Sequence, residues 1–131
     1  MHLSIEQELR MRFPEIYPFS LLIKHPGELA EYRLLNYFGN YCAENFGTTK
    51  SEEILCAINN LYESRDLFVK NAIENEFFSA MTEVLGAKEL MTDLQKIPSK
   101  LQLVYIKVLL ETLKTQKDQN QIHQKLKNTN P

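Results

Sequence analysis

The stretch Leu67-Phe68-Val69-Lys70-Asn71-Ala72-Ile73-Glu74-Asn75-Glu76-Phe77-Phe78-Ser79-Ala80-Met81-Thr82-Glu83-Val84-Leu85-Gly86 decides the fold. Val69, Ala72, Ile73, Phe77, Ala80, Met81 and Val84 recur at steps of three and four, the period of one helical face. The spacing predicts a helix over 67–85, with Asp66 able to cap its start and Gly86 ending it. Leu67, Phe68 and Phe78 fall off the main face. A helix that is apolar on more than one side belongs at the centre of a bundle. Asn71, Asn75, Ser79 and Thr82 are expected to form its polar side.

Working outward, the same period continues on both sides. Upstream, a helix is expected over 28–46, its core stripe made of Tyr32, Leu35, Gly39, Cys42 and Phe46. Gly39 inside that helix costs about 1 kcal/mol against Ala, which implies close approach by a neighbour. Gly47 suits the left-handed residue after a helix end. Thr49-Lys50-Ser51-Glu52-Glu53 starts the next helix, with Ile54, Leu55, Ile58, Leu61 and Tyr62 as its inner face. Near the N-terminus a helix is expected over 4–13, with Ser4 and Gln7 spaced as a capping box and Ile5, Leu9 and Phe13 in one stripe. Pro14, Pro18, Pro26 and Gly27 forbid one continuous helix over 14–27, though a short turn around 20–24 is allowed.

Downstream, a short helix over 88–96 turns Leu90, Met91 and Leu94 inward. Pro98 and Ser99 separate it from a helix starting at Lys100. There Leu101, Val104, Val108 and Leu109 lie on one side, and Leu103, Ile106, Leu110 and Leu113 extend the apolar arc. After Thr115 the composition turns to Gln, Asn, Lys and Thr, with only Ile122 and Leu126 to bury. Residues 1–115 are therefore expected to form a single helical domain, and 116–131 a flexible polar and basic tail of frayed helix or disorder. No strand-like alternation appears. The expected class is all-α, a compact bundle of five or six helices, with a HEAT-like pairing possible but no repeated motif to carry it.

The 131 residues are the size of one domain, and 44 % apolar with 24 % charged is ordinary for a globular chain. No apolar run reaches the roughly 18 residues that a membrane span needs. No basic segment followed by an apolar one opens the chain, so a cytoplasmic protein is expected. Cys42 and Cys56 fall at apolar-periodic positions and are expected as buried, reduced side chains. Formal net charge is −2, but its distribution is uneven. Residues 44–93 hold ten acids and four bases, whereas the stretch after Leu113 holds four lysines and one aspartate. Four lysines without arginine or interleaved aromatics make a poor reader of bases, so no nucleic-acid partner is expected.

Chemistry-bearing constellations are scarce. Four scattered glycines leave no phosphate-cradling loop. His2, His25 and His123 are far apart and converge with no cysteine, so neither a metal nor a cofactor is expected. Glu74 and Glu76 point to different sides of their helix. Glu76 falls near the edge of the apolar face, where partial burial suits a general acid or base or an internal pairing with Arg33, Arg65 or a lysine. Leu34, Tyr37, Phe38 and Tyr41 form a second row, read as lying away from the core stripe. That row is either a recognition surface or the seat of the 14–27 segment.

Phe13-Pro14-Glu15-Ile16, the aromatic segment around Tyr37-Phe38-Gly39, and Asn71 to Phe77 after a charged turn together resemble small bacterial helical proteins of unknown function. The resemblance covers about residues 5–95. It brings no catalytic residues. Proteins of this size and type are sometimes immunity proteins encoded beside secreted toxins, which implies a protein partner.

The expected function is thus a non-enzymatic protein-binding module of the immunity or adaptor kind, with an acidic face. Its candidate contact residues are Tyr37, Tyr41, Glu63, Asp66 and Glu74. Two alternatives stand beside it. One is a small helical enzyme using Glu76 as acid or base. The other is a homo-oligomeric structural subunit, self-associating through the 28–46 helix or the last one.

Overall fold

The computed structural model describes the backbone of residues 4–24, 28–64 and 66–128, and the side chains of these except 22–24, 28 and 121–128. Expectations resting on His2, on His25, Pro26 and Gly27, on Arg65, or on the side chains of Leu22, Ile23, Ile122, His123 and Leu126 lie outside the described residues. Every regular element is helical: α1 (Ile5–Arg12), α2 (Phe19–Lys24), α3 (Glu28–Glu44), α4 (Thr49–Glu63), α5 (Leu67–Ala72), α6 (Ser79–Leu85), α7 (Leu90–Leu94) and α8 (Ser99–Asn128). Between α5 and α6 the chain winds as a π-helix, Ile73–Phe78, so that α5, the π segment and α6 form one rod. Among the described residues there is no strand, and the protein is an all-α bundle. No helix is long and apolar enough to cross a membrane among those residues.

Local chemistry sets the helix starts. Ser4 Oγ accepts from the Gln7 N–H at 3.1 Å while Gln7 Oε1 accepts from the Ser4 N–H at 3.1 Å, completing the capping box. Thr48 caps α4 through the Ser51 N–H at 3.3 Å, and Asp66 caps α5 through the Phe68 N–H at 2.9 Å. Gly47 and Gly86 supply the two positive-φ residues found among the described positions, at φ 87° and 62°.

The rod is the centre of the packing. It lies against α3 along most of its length, and against α8 on another side. At the crossing with α3 stands Gly39. A Cβ there would overlap the Phe77 carbonyl oxygen and lie 3.1 Å from the Ala80 Cβ. Only glycine lets these two backbones meet.

The π segment changes which residues face the core. In an α-helix each residue turns about 100°, so a stripe chosen before Ile73 continues predictably. A π turn closes i to i+5 and takes in one extra residue, which rotates everything beyond it by about one residue's turn. Phe77 and Phe78 are consequently both buried, their rings 5.3 Å apart and edge to face. Thr82 rotates inward and donates or accepts across 2.8 Å to Thr112 of α8. Val84 rotates outward to 47 % exposure. These reverse the expected roles of Phe78, Thr82 and Val84. Burying two phenylalanines is worth about 1.5–3 kcal/mol each, enough to offset one weakened helical turn.

Other expectations also change. Leu34 and Phe38 are fully buried, not off the core, because Phe13 of the adjoining chain segment packs on Phe38 at 5.7 Å between ring centroids. Met91 and Cys56 are exposed. α3 ends at Glu44 and α8 begins at Ser99. Leu103, Leu110 and Leu113 of α8 face away from the core, which α8 meets instead through Leu101, Tyr105, Val108 and Leu109. α8 remains helical through Asn128, and its described side chains from 114 to 120 are all exposed.

Gly39→Ala should lower unfolding free energy by about 2–3 kcal/mol in urea titrations, the cost of overpacking at a backbone contact exceeding the gain in helix propensity.

Candidate functional site

The five candidate contact residues divide into two groups. Glu63, Asp66 and Glu74 lie around the junction of α4, the rod and α8. Each serves the fold there. Glu63 Oε1 accepts from Lys100 Nζ at 2.7 Å. Asp66 caps α5. Glu74, with only 15 % of its side chain exposed, accepts at one oxygen from Lys107 Nζ at 2.7 Å and at the other from the Tyr62 hydroxyl at 3.0 Å. This carboxylate ties α4, the π segment and α8 together. Burial, then its bond to Glu74, pushes the Tyr62 hydroxyl up to about 12, so it stays a donor at any ordinary pH.

Tyr37 and Tyr41 lie elsewhere, on α3, with rings stacked at 6.5 Å. The Tyr37 hydroxyl donates to the Ile16 carbonyl at 2.9 Å, so the segment after α1 is seated on this row. Lys50 of α4 holds the same segment through Glu15.

Two grooves open beside these groups. The first runs between the rod and α8 and is about 450 Å³ in volume. Glu74, Glu83 and Glu111 line it together with Asn75, Ser79 and Thr115. The second, about 500 Å³, lies between α2, α3 and the π segment. Its walls are Leu21, Leu29, Tyr32 and Tyr37, and its polar groups are Arg33, Asn36, Asn40 and Glu76. Both volumes fall in the range of small-ligand clefts. Glu76 forms no ion pair within 4.0 Å among the described residues, Arg33 included. Its carboxyl is held above the usual range, chiefly by burial and against the opposing pull of Arg33. Among the described residues no group of three His, Cys, Asp or Glu is placed to hold a metal ion.

These surfaces belong to a helical body whose compact part ends near Thr112, and a family profile covers nearly the same span. A domain of unknown function, DUF7674, matches residues 6–114. The chain belongs to that family. No curated protein and no solved structure matches it. Within the DUF7674 span lie the whole described lining of the second groove, the rod's side of the first, the Gly39 crossing and all five candidate residues.

Sequence reasoning placed Glu76 at a half-buried edge and named Arg33 as a possible partner, but missed the asparagines that complete the polar row opposite it. Arg33, Asn36 and Asn40 stand at steps of three and four on α3, a spacing visible in the sequence once α3's buried face is known to include Leu34 and Phe38. Glu83 and Glu111 were not legible, because they meet only through the packing of α6 on α8.

The burial of these groups sets two outcomes. A thiol reagent in native buffer should label one site per chain, at exposed Cys56, because burial pushes the Cys42 thiol up to about 12 and shields it. Replacing Glu76 should reveal its burial penalty. An acid whose folded pKa is raised binds more protons folded than unfolded, so stability falls as pH rises from 4.5 through the folded value. Glu76→Gln should therefore melt higher than the parent at pH 7, with the difference vanishing below pH 4.5.

Proposed function

We propose that this DUF7674 protein is a non-enzymatic protein-binding module of the immunity or adaptor kind, acting in a bacterial cytoplasm. The observation that carries this reading is the outer face of α8. Leu103 and Leu110 are 79 % and 61 % exposed, Leu113 is also exposed, and Ile106 between them is half-buried. Their spacing of three, four and three puts all four on one stripe, the geometry of a helix seam that meets another helix. Three large apolar side chains facing water, with Ile106 half-buried among them, make a surface that suits a protein partner.

Charge supports the same reading. The groove that adjoins α8 carries Glu83 and Glu111 beside Glu74, which Lys107 and Tyr62 already hold, and has no lysine or arginine among its described lining residues. Its carboxylates suit basic side chains of a partner, with charge steering the encounter. Glu63 and Glu74 contribute through the ion pairs that place Lys100 and Lys107 beside the stripe, and Asp66 by holding the start of the rod. Tyr37 and Tyr41 would contribute from α3.

A second reading, a small enzyme working through Glu76, is favoured by that carboxyl's opening onto a cleft in which it forms no ion pair with Arg33 or any other described residue. Among the described residues the lining offers it no histidine, cysteine or second carboxyl, and Tyr37 gives its hydroxyl to Ile16. Acid–base work normally needs such a second group, so the binding reading is preferred.

The test is affinity capture from the source cell at low and moderate salt, with the parent and with Leu103→Glu/Leu110→Glu. The double variant should keep its stability within about 0.5 kcal/mol per site, since both leucines are exposed, and lose the partner. Undiminished capture by the variant, or no partner in either arm, overturns the proposal. Sedimentation that shows a concentration-dependent dimer, lost in the same variant, would instead assign the stripe to a second copy.

A further inference from the structure

The cleft between α2, α3 and the π segment holds polar groups that the fold leaves open. Asn40 Nδ2 donates to Asn36 Oδ1 at 3.2 Å, which aligns the two amides along α3. The remaining Asn36 N–H groups and the Asn40 carbonyl oxygen have no partner among the described residues. They leave one free donor set and one free acceptor on two amides in contact with each other. Such a pair can take up one C=O and one N–H of a peptide main chain laid along α3.

The rest of the cleft suits the side chains of such a peptide. Leu21, Leu29 and Tyr32 give an apolar wall. Glu76 on the opposite side is a half-buried carboxylate that reaches no cation within 4.0 Å among the described residues. A desolvated carboxylate gains most from an ammonium or guanidinium brought to it in the same low-dielectric setting. Arg33 is exposed, and its long stem lets its charge move to water as another cation enters. The lining from Leu29 to Asn40 covers about 16 Å of helix, the length of about five extended residues.

We propose that this cleft binds an extended peptide segment containing a lysine or arginine, with Asn36 and Asn40 holding its main chain and Glu76 its cation. The peptide site is separate from the α8 stripe, so the two surfaces would let one small protein hold two elements of a partner.

The test is panning a phage-displayed library of random heptapeptides on the full chain, then titrating the synthetic consensus peptide by fluorescence anisotropy. The expected consensus has a Lys or Arg beside an apolar residue. Glu76→Gln and Asn36→Ala/Asn40→Ala should each weaken that peptide about tenfold or more, with the fold retained by circular dichroism. Replacing the peptide's basic residue by norleucine should weaken binding to the parent but not to Glu76→Gln. Leu103→Glu/Leu110→Glu should bind the peptide as the parent does. No consensus, an acidic consensus, or a consensus peptide indifferent to the cleft variants overturns the assignment. So does loss of the peptide in the α8 variant, which would move its site to the stripe.

Discussion

Everything in the bundle is arranged around the contact between Gly39 and the Phe77 carbonyl. Two helices with ordinary side chains between them keep their axes roughly 8–10 Å apart. A glycine opposite a main-chain oxygen removes that spacer, and the backbone of α3 comes to rest on the backbone of the rod. Such contacts gain weak Cα–H···O attraction and, more importantly, allow dense packing on both sides of the crossing. Leu34, Leu35, Phe38 and Cys42 fill one helix's share of that packing, and Ile73, Phe77, Phe78 and Met81 the other's. The π turn sits at the same place. It puts Glu74 on the α8 side and Glu76 on the α3 side of a single short segment, so one crossing positions both grooves.

The acidic middle of the chain has a different meaning in three dimensions from the one its composition suggests. A net charge of −6 over residues 44–93 describes a segment, not a surface. α8 returns across that segment carrying Lys100 and Lys107, and closes Glu63 and Glu74 into ion pairs at 2.7 Å each. These exposed lysines add little to stability individually. Their larger effect is to tie α8 to α4 and to the π segment, leaving Glu83 and Glu111 as the carboxylates of the groove that no lysine takes up among the described residues.

Local signals in the sequence were legible wherever one residue's chemistry sufficed. Ser4 with Gln7, Asp66, Gly47 and Gly86 each mark a boundary through a hydrogen bond or a backbone angle that only a few residue types supply. The stripe of Ile5, Leu9 and Phe13 was legible because one helix with one buried face has one solution. Gly39 announced a close approach, though not which backbone makes it. The π turn was illegible because counting by a uniform α period assumes the very regularity it breaks, and three residue assignments failed together at and beyond it. The outward leucines of α8 were illegible for another reason. With apolar residues on nearly every side of 101–113, hydrophobicity alone cannot choose the face that the bundle covers. Of the candidate site, Glu76 was recognised from its edge position, while the asparagine row facing it depended on knowing how α3 is rotated.

α8 has thirty residues, but its last buried side chain among those described is Leu109. Beyond the bundle the helix has mainly its own hydrogen bonds to hold it, and a stretch of that length is marginal as an isolated helix in water. It will therefore open by fraying, without waiting for the bundle to unfold, and its amides will exchange with solvent on a scale set by helix propensity alone. The amides of Leu101 to Leu109, on the same helix, will exchange only when the core lets go. One covalent helix thus spans both extremes of local stability, and Leu110 and Leu113 stand at the border between them. An occupant of the stripe would extend the protected region outward, turning the end of α8 from the loosest part of that helix into a reporter of what is bound.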